Sequence, residues 1–315
     1  MQATRFGRPL TAGGTIGVFA PSGPFANRSD VLRPIEWWTS RGYQVRLTDS
    51  VWARHDYVAG PPQQRVDDLH ALLLDDEVDV VFCLWGGVGA IEMLPLIDYE
   101  LVASHPKAIM GFSDVTNLHA ALLQHSGLAT FHGPGFGSFG ASDRAAFTLD
   151  SAVDAFTKGG VGNVPRRPDD AYIRPIAGGR VSAPIVGGNL YTLNHLMGTP
   201  YELDFSGSIL MIEEVDTHSV DFDVMLWQMR LAGVLDGVVG VVVSDLHECG
   251  KPEPEVVADR SLEDVLESHL GTLGVPVIYG LPLGHGPHLA SIPLGVMATL
   301  DAEARTLSID QPGVR

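Results

Sequence analysis

Apolar and polar positions alternate along the first 140 or so residues in two distinct ways. Short apolar runs read as buried strands: Thr15-Ile-Gly-Val-Phe-Ala20, Tyr43-Gln-Val-Arg-Leu47, Val78-Asp-Val-Val-Phe-Cys-Leu-Trp85, a run entering Gly111, and Leu128-Ala-Thr-Phe-His132. Between them lie stretches of helical period, from Ser29 to about Arg41 and from Pro61 to Asp75, the latter with Val66, Leu69, Leu72 and Leu73 on one face. The nearly unbroken run at Val78–Trp85 suits a parallel strand covered on both sides. Five strands alternating with helices predict a doubly wound parallel α/β sheet, whose ligands would sit beyond the carboxyl ends of the strands.

After about residue 140 this rhythm stops. Lys158-Gly-Gly160 and Ala177-Gly-Gly-Arg180 punctuate a stretch without long periodicity, so residues 146–180 read as a linker between a first domain, 1–145, and a second, 181–315. The second domain carries a turn and helix at Gly187–Gly198, strands at Ser208–Glu213, Gly237–Val243 and Val275–Tyr279, and a hairpin around Asp301–Ala304. An amphipathic helix starts near Val220, with Val224, Trp227 and Leu231 on one face.

Composition removes several function classes. With 38 acidic against 20 basic residues the formal charge is −18, which repels a phosphate backbone or an anionic bilayer, so neither nucleic acid nor a membrane is an expected partner. The two cysteines, Cys83 in an apolar run and Cys249 in a polar loop, form no C-x-x-C pair and no disulfide framework. The N-terminal residues lack a secretory h-region and no apolar run approaches the ~20 residues that span a bilayer. A cytoplasmic protein is the expectation.

Candidate chemistry centres on Lys107-Ala-Ile-Met-Gly-Phe-Ser-Asp-Val-Thr-Asn-Leu-His119, which reads as strand, tight turn and helix, with Ser113 on the turn. A serine held there meets the backbone N–H groups that open the helix, as in a nucleophile elbow. The G-x-S-x-G pattern is half met, because Val115 stands at the second glycine, and an ordinary N-cap serine is the competing reading. Gly86-Gly-Val-Gly89 fails the dinucleotide fingerprint, since it follows the third strand and Glu92 stands at its last glycine position. It is either a plain turn or a source of backbone N–H groups, from Gly86 or Gly87, for the pocket of Ser113.

Glu213 ends an apolar strand, where a carboxylate needs hydrogen-bond donors. His285 lies in Leu283-Gly-His-Gly-Pro-His288, a loop at the end of a buried strand whose glycines permit close approach to a pocket. Serine, base and carboxylate would complete a relay, with His288, His132, Glu214 and Asp216 as competitors for the last two roles. A metal site from His285, His288, Asp245, His247 and Glu248 is the rival; H-E-x-x-H is absent and the spacings fit no common zinc motif. A third reading is a non-catalytic α/β protein that binds a nucleotide or sugar.

Taken together, Ala20-Pro-Ser-Gly, Gly86-Gly, Leu94-Pro-Leu-Ile-Asp98, Pro106–Thr116, His132-Gly-Pro, Gly187-Gly-Asn-Leu190, Gly198-Thr-Pro, Ile209–Glu214 and Gly284-His-Gly286 make the chain resemble the LD-carboxypeptidases, serine peptidases that include the microcin C self-immunity peptidases. The resemblance spans nearly the whole chain. It implies a flavodoxin-like N-terminal domain and a smaller β-rich C-terminal domain. It implies Ser113 as nucleophile, Glu213 and His285 as its relay, and the backbone of Asp114 and the Gly86/Gly87 turn as oxyanion donors. It also implies a homodimer that needs no metal or other cofactor. The expected substrate is a small peptide or peptidyl small molecule: a tetrapeptide muropeptide losing terminal D-Ala, or, alternatively, an aminoacyl or peptidyl nucleotide amide. The family's usual Arg-Gly-Gly-Tyr-Gly turn is Trp85-Gly-Gly-Val-Gly89 here, so Trp85 replaces the Arg beside the nucleophile and either packs beneath the turn or offers a flat surface to substrate.

Overall fold

Strand β3 (Val78–Cys83) lies in the middle of a parallel sheet whose other members are β1 (Thr15–Phe19), β2 (Gln44–Leu47), β4 (Ala108–Gly111) and β5 (Thr130–His132). Their order is β2-β1-β3-β4-β5, the doubly wound arrangement, and every neighbouring pair is parallel. This computed structural model describes residues 3–141, 145–167, 173–251 and 260–315. It divides into two units, one running to Val161 and including Ser291–Gly295 and Pro312–Arg315, the other comprising Gly162–Ala290 and Val296–Gln311.

In the first unit, Val80, Val81, Phe82 and Cys83 are all fully buried, as the continuous apolar run requires of a strand covered on both faces. Helices α1 (Ser29–Thr39), α2 (Pro62–Leu74), α3 (Tyr99–Ser104), α4 (Thr116–Ser126) and α5 (Ala146–Lys158) accompany the sheet. Phe82 anchors an aromatic cluster with Trp38, Phe139 and Phe156 at ring distances of 5.7, 5.4 and 4.9 Å. Each such pair contributes roughly 0.5–1.5 kcal/mol beyond its buried area. Buried Val66, Leu69, Leu72 and Leu73 hold α2 to the unit, as the periodicity predicts, but Arg65 beside them is fully buried too.

Helix α5 occupies part of the stretch expected as a linker. It buries Thr148, Ala152, Ala155 and Phe156 and stops at Gly159, whose φ of +81° closes the last turn. Three of these four buried residues are Thr or Ala, so few large apolar side chains mark the helical period in the sequence. Residues 168–172 of the expected linker lie outside the described residues.

The second unit is an eight-stranded mixed sheet. Its strands are β6 (Gly162–Asn163), β7 (Arg174–Ala177), β8 (Arg180–Asn189), β9 (Ile209–Glu213), β10 (Gly240–Ser244), β11 (Val277–Leu281), β13 (Val296–Asp301) and β14 (Thr306–Ile309). Between the last two segments of this unit, β12 (Ile292–Leu294) pairs antiparallel with β5 of the first unit's sheet. In the second sheet β8, β9, β10 and β11 run parallel, while β6, β7, β13 and β14 extend it antiparallel. The β13–β14 pair is the hairpin expected around Asp301. Gly187 and Gly188, expected in a turn, instead lie inside β8. At Gly187 (φ +134°) a Cβ would fall 2.0 Å from the Met211 carbonyl oxygen, so only glycine lets β8 lie against β9 up to the Asn189–Glu213 pair.

Helix α6 (Leu190–Leu196) follows β8, α7 (Ser219–Leu231) follows β9, and α8 (Leu262–His269), a helix beyond those expected from the apolar pattern, precedes β11. The buried face of α7 is Ser219, Phe222, Leu226 and Met229. Val224, Trp227 and Leu231 point outward, at 61%, 52% and 80% exposure, so the apolar stripe read from the sequence is a surface stripe of this unit. Among the described residues no helix is long and apolar enough to cross a membrane.

Candidate active site

Strand β4 ends at Gly111, Phe112 is extended, and Ser113 then takes φ +63°, left-handed backbone that a non-glycine residue enters at a cost of about 1–2 kcal/mol. A 3-10 turn, Ser113–Val115, leads into α4. An N-capping serine would sit in the extended region with its hydroxyl on a helix N–H; Ser113 does neither. The strained turn pushes the side chain out from the strand end, which is the local geometry of a nucleophile elbow.

The glycine turn after β3 reaches this serine. A Cβ on Gly86 would stand 3.0 Å from Ser113 Cβ and 3.3 Å from its Oγ. Gly23 donates its N–H to the Gly86 carbonyl at 3.0 Å, so the loop after β1 holds the turn from its other side. Thus the loops that follow β1, β3 and β4 meet, as the doubly wound topology predicts. Asp114, next to the serine, accepts from the Ala90 amide at 2.9 Å and from Asn117 Nδ2 at 2.9 Å. Burial pushes its carboxyl above the usual range, and these hydrogen bonds partly offset that. Cys83 is no rival nucleophile, since complete burial pushes its thiol far up.

Glu213 and His285 are brought together in the second unit. Glu213 ends β9 fully buried, and its Oε2 accepts from His285 Nδ1 at 2.8 Å. A carboxylate on Nδ1–H fixes the tautomer and leaves Nε2 as the basic nitrogen. Gly284 and Gly286 flank the histidine, and Cβ atoms there would lie 2.9 Å from Ser244 Oγ and 2.8 Å from Asp245 Oδ2 respectively, so the loop depends on both glycines. The neighbouring acids have other partners. Glu214 accepts from Asn189 Nδ2, the Tyr191 amide and the Val215 amide, which binds it to the start of α6. Asp216 is exposed and pairs with Lys251, and Asp245 pairs with Arg167. His132 is buried in β5, paired with Gly111 of β4. Among the described residues no group of three or more His, Cys, Asp or Glu side chains could hold a metal ion.

Residues 16–133 match the LD-carboxypeptidase N-terminal domain and residues 182–300 the LD-carboxypeptidase C-terminal domain. A "Probable murein peptide carboxypeptidase" of Bacillus subtilis is 33% identical over 96% of this chain and 93% of its own length. The chain belongs to the LD-carboxypeptidase family. Its structure is similar to that of a muramoyltetrapeptide carboxypeptidase from Oxalobacter formigenes, with TM-score 0.82 and 30% identity over 95% of this chain and 99% of the other. It also shares the fold of the microcin C7 self immunity protein MccF, solved in complex with aspartyl sulfamoyl adenosine, at TM-score 0.89 and 23% identity, over 99% of this chain and 100% of that one.

Against the LD-carboxypeptidase pattern the distinctive residue is Trp85. Its indole lies against Gly137, where a Cβ would fall 2.1 Å from Cζ2, and it packs on the aromatic core while remaining half-buried. Sequence reasoning missed Arg65 and His119, because a basic residue in a helical repeat reads as solvent-facing.

His119, on the second turn of α4, sends Nε2–H to the Gly111 carbonyl at 2.9 Å and so braces the strand end before Ser113. Burial is the main reason that its pKa drops to about 4. An unfolded His119 would take up a proton near its ordinary 6.5, the folded one only near 4, so stability is complete above 6.5 and falls as pH drops through that interval. Urea unfolding at pH 7 and pH 4 should show the wild type losing about 3 kcal/mol more than His119→Gln. Equal losses would mean that His119 does not carry this dependence.

Proposed function

We propose that the chain is a serine-type LD-carboxypeptidase that releases the terminal D-Ala of tetrapeptide muropeptides, with Ser113 as nucleophile, His285 as general base and Glu213 as its orienting carboxylate. The observation that carries this reading is the left-handed turn at Ser113, pressed against the Gly86 turn, in a chain of this family. Ser113 Oγ attacks the carbonyl carbon before D-Ala as its proton passes to His285 Nε2. Amides of Asp114 and of the Gly86/Gly87 turn receive the oxyanion. Collapse breaks the C–N bond, His285 returns its proton to the leaving amine, and water then releases the acyl group by the same route.

The Glu213–His285 hydrogen bond supports the base assignment, since a carboxylate that accepts from Nδ1–H favours the tautomer in which Nε2 is the basic nitrogen. The separated cysteines and the charge of −18 fit a cytoplasmic enzyme without a nucleic-acid partner. A homodimer would cover the outward stripe of Val224, Trp227 and Leu231. Loss of the family's Arg at Trp85, together with the fold shared with MccF, favours one second reading: cleavage of an aminoacyl or peptidyl nucleotide amide.

Mass spectrometry of the purified protein with tetrapeptide muropeptide and, separately, with an aminoacyl sulfamoyl adenosine distinguishes the two. Release of D-Ala alone is the expected result. Cleavage of the adenosine compound alone would replace the muropeptide assignment with the second reading.

A further inference from the structure

The glycine turn that meets Ser113 is made of permissive backbone. Gly87 has φ +111° and Gly89 φ +120°, and between them Val88 is exposed, so neither local conformational preference nor side-chain burial holds the turn in one shape. Yet oxyanion stabilisation requires donors that are already in place when charge develops. Something outside the turn must fix it.

Arg65 is placed to do so. Its side chain is fully buried on α2, and its guanidinium forks into three acceptors: the Pro21 carbonyl, the Gly89 carbonyl at 2.9 Å and the Glu92 carboxylate. Gly89 must be glycine for this approach, since a Cβ there would lie 3.1 Å from Arg65 Nη1 and 2.6 Å from Val58 Cγ1. The next residue, Ala90, donates its N–H to Asp114, the neighbour of the nucleophile. At the other end of the turn the Gly86 carbonyl is held by Gly23, in the same loop as Pro21. One buried cation therefore ties the loop after β1 to the far end of the glycine turn, and Asp114 ties that end to the serine.

We infer that Arg65 is a positioning residue for catalysis: it locks the Gly86–Gly89 turn against Ser113 without touching substrate. This rests on the reading of Ser113 as nucleophile with the turn as oxyanion donor. The role needs the planar fork of arginine, because an ammonium offers a single point of charge and cannot serve two carbonyls and a carboxylate in this geometry.

The test compares wild type with Arg65→Lys on tetrapeptide muropeptide. A displaced oxyanion turn should reduce kcat by about 100-fold and leave KM within about twofold. A boronic-acid analogue of the peptide, which forms a tetrahedral anion on the serine oxygen, should lose affinity by the same factor as kcat. Affinity for the intact peptide, measured by calorimetry in a Ser113→Ala background, should not change when Arg65→Lys is added. A merely structural role would lower all three together or none, and either pattern overturns the inference. Should Arg65→Lys fail to fold, Glu92→Gln, on a partly exposed side chain, carries the same comparison with an expected loss of several-fold in kcat; full kcat in that variant overturns it. A fluorophosphonate probe separates the two levels: a wild type that is not labelled at Ser113 removes the serine reading and Arg65's role with it, whereas a labelled wild type with unaffected variants removes only the latter.

Discussion

Replacing Ser113 by Ala is expected to reduce kcat by roughly four to six orders of magnitude, and His285→Ala should do the same, with almost no further loss when both are combined. Nucleophile and base act as one unit: without the imidazole the hydroxyl is a poor nucleophile, and without the hydroxyl the imidazole has nothing to activate. Glu213→Gln should cost less than either, because the amide can still contact Nδ1 while favouring the wrong tautomer. Stability separates the variants in a second way. Ser113→Gly removes a non-glycine residue from φ +63° and should stabilise the fold by about 1 kcal/mol while abolishing activity. His285→Ala should instead destabilise by about 1–3 kcal/mol, since it takes the hydrogen-bond donor from Oε2 of a fully buried carboxylate. Losses that add in the double variant, or full activity in Ser113→Ala, would dismiss the relay.

Much of this site was legible because its parts obey strong local rules. The strand-turn-helix around Ser113 is written in an apolar run, a glycine and a polar first turn, and the loops at the carboxyl ends of β1, β3 and β4 converge because a doubly wound sheet leaves them no other place. Other features carry no such mark. Glu213 and Glu214 are adjacent in sequence, and successive residues of an extended chain point to opposite sides, so it is the fold and not the local pattern that brings Glu213 to His285 and Glu214 to the start of α6. On α7 both faces are apolar, and periodicity alone picked Val224, Trp227 and Leu231 where burial picks Phe222, Leu226 and Met229. Arg65 sits one position before Val66 in a helix whose other buried positions, Val66, Leu69, Leu72 and Leu73, follow the apolar period; its buried role depends on carbonyls at Pro21 and Gly89, remote in sequence, which no helical pattern encodes.

Gly86→Ala should cost roughly 5–10-fold in kcat with little change in melting temperature, a larger separation of activity from stability than at any neighbouring glycine. Gly86 does not need positive φ, so alanine adds no backbone strain, in contrast to Gly87 at φ +111°. What alanine adds is a methyl group 3.0 Å from Ser113 Cβ, 3.3 Å from Ser113 Oγ and 3.3 Å from the Phe112 carbonyl oxygen. None of these atoms is the end of a long flexible side chain that could swing away. Two responses remain: the serine turn shifts by a few tenths of an ångström, or the glycine turn backs off from it. Both change the distance between the nucleophilic oxygen and the amides proposed to receive the oxyanion; a misplacement of about 1 Å costs on the order of 100-fold in rate, so a shift of a few tenths costs roughly 5–10-fold. Gly87→Ala should show the opposite signature, losing stability through its left-handed backbone as well as activity. Steady-state kinetics and thermal melts of the two variants side by side make the comparison. A Gly86→Ala enzyme with wild-type kcat would show that the turn does not contribute to the reacting geometry, whatever it contributes to the fold.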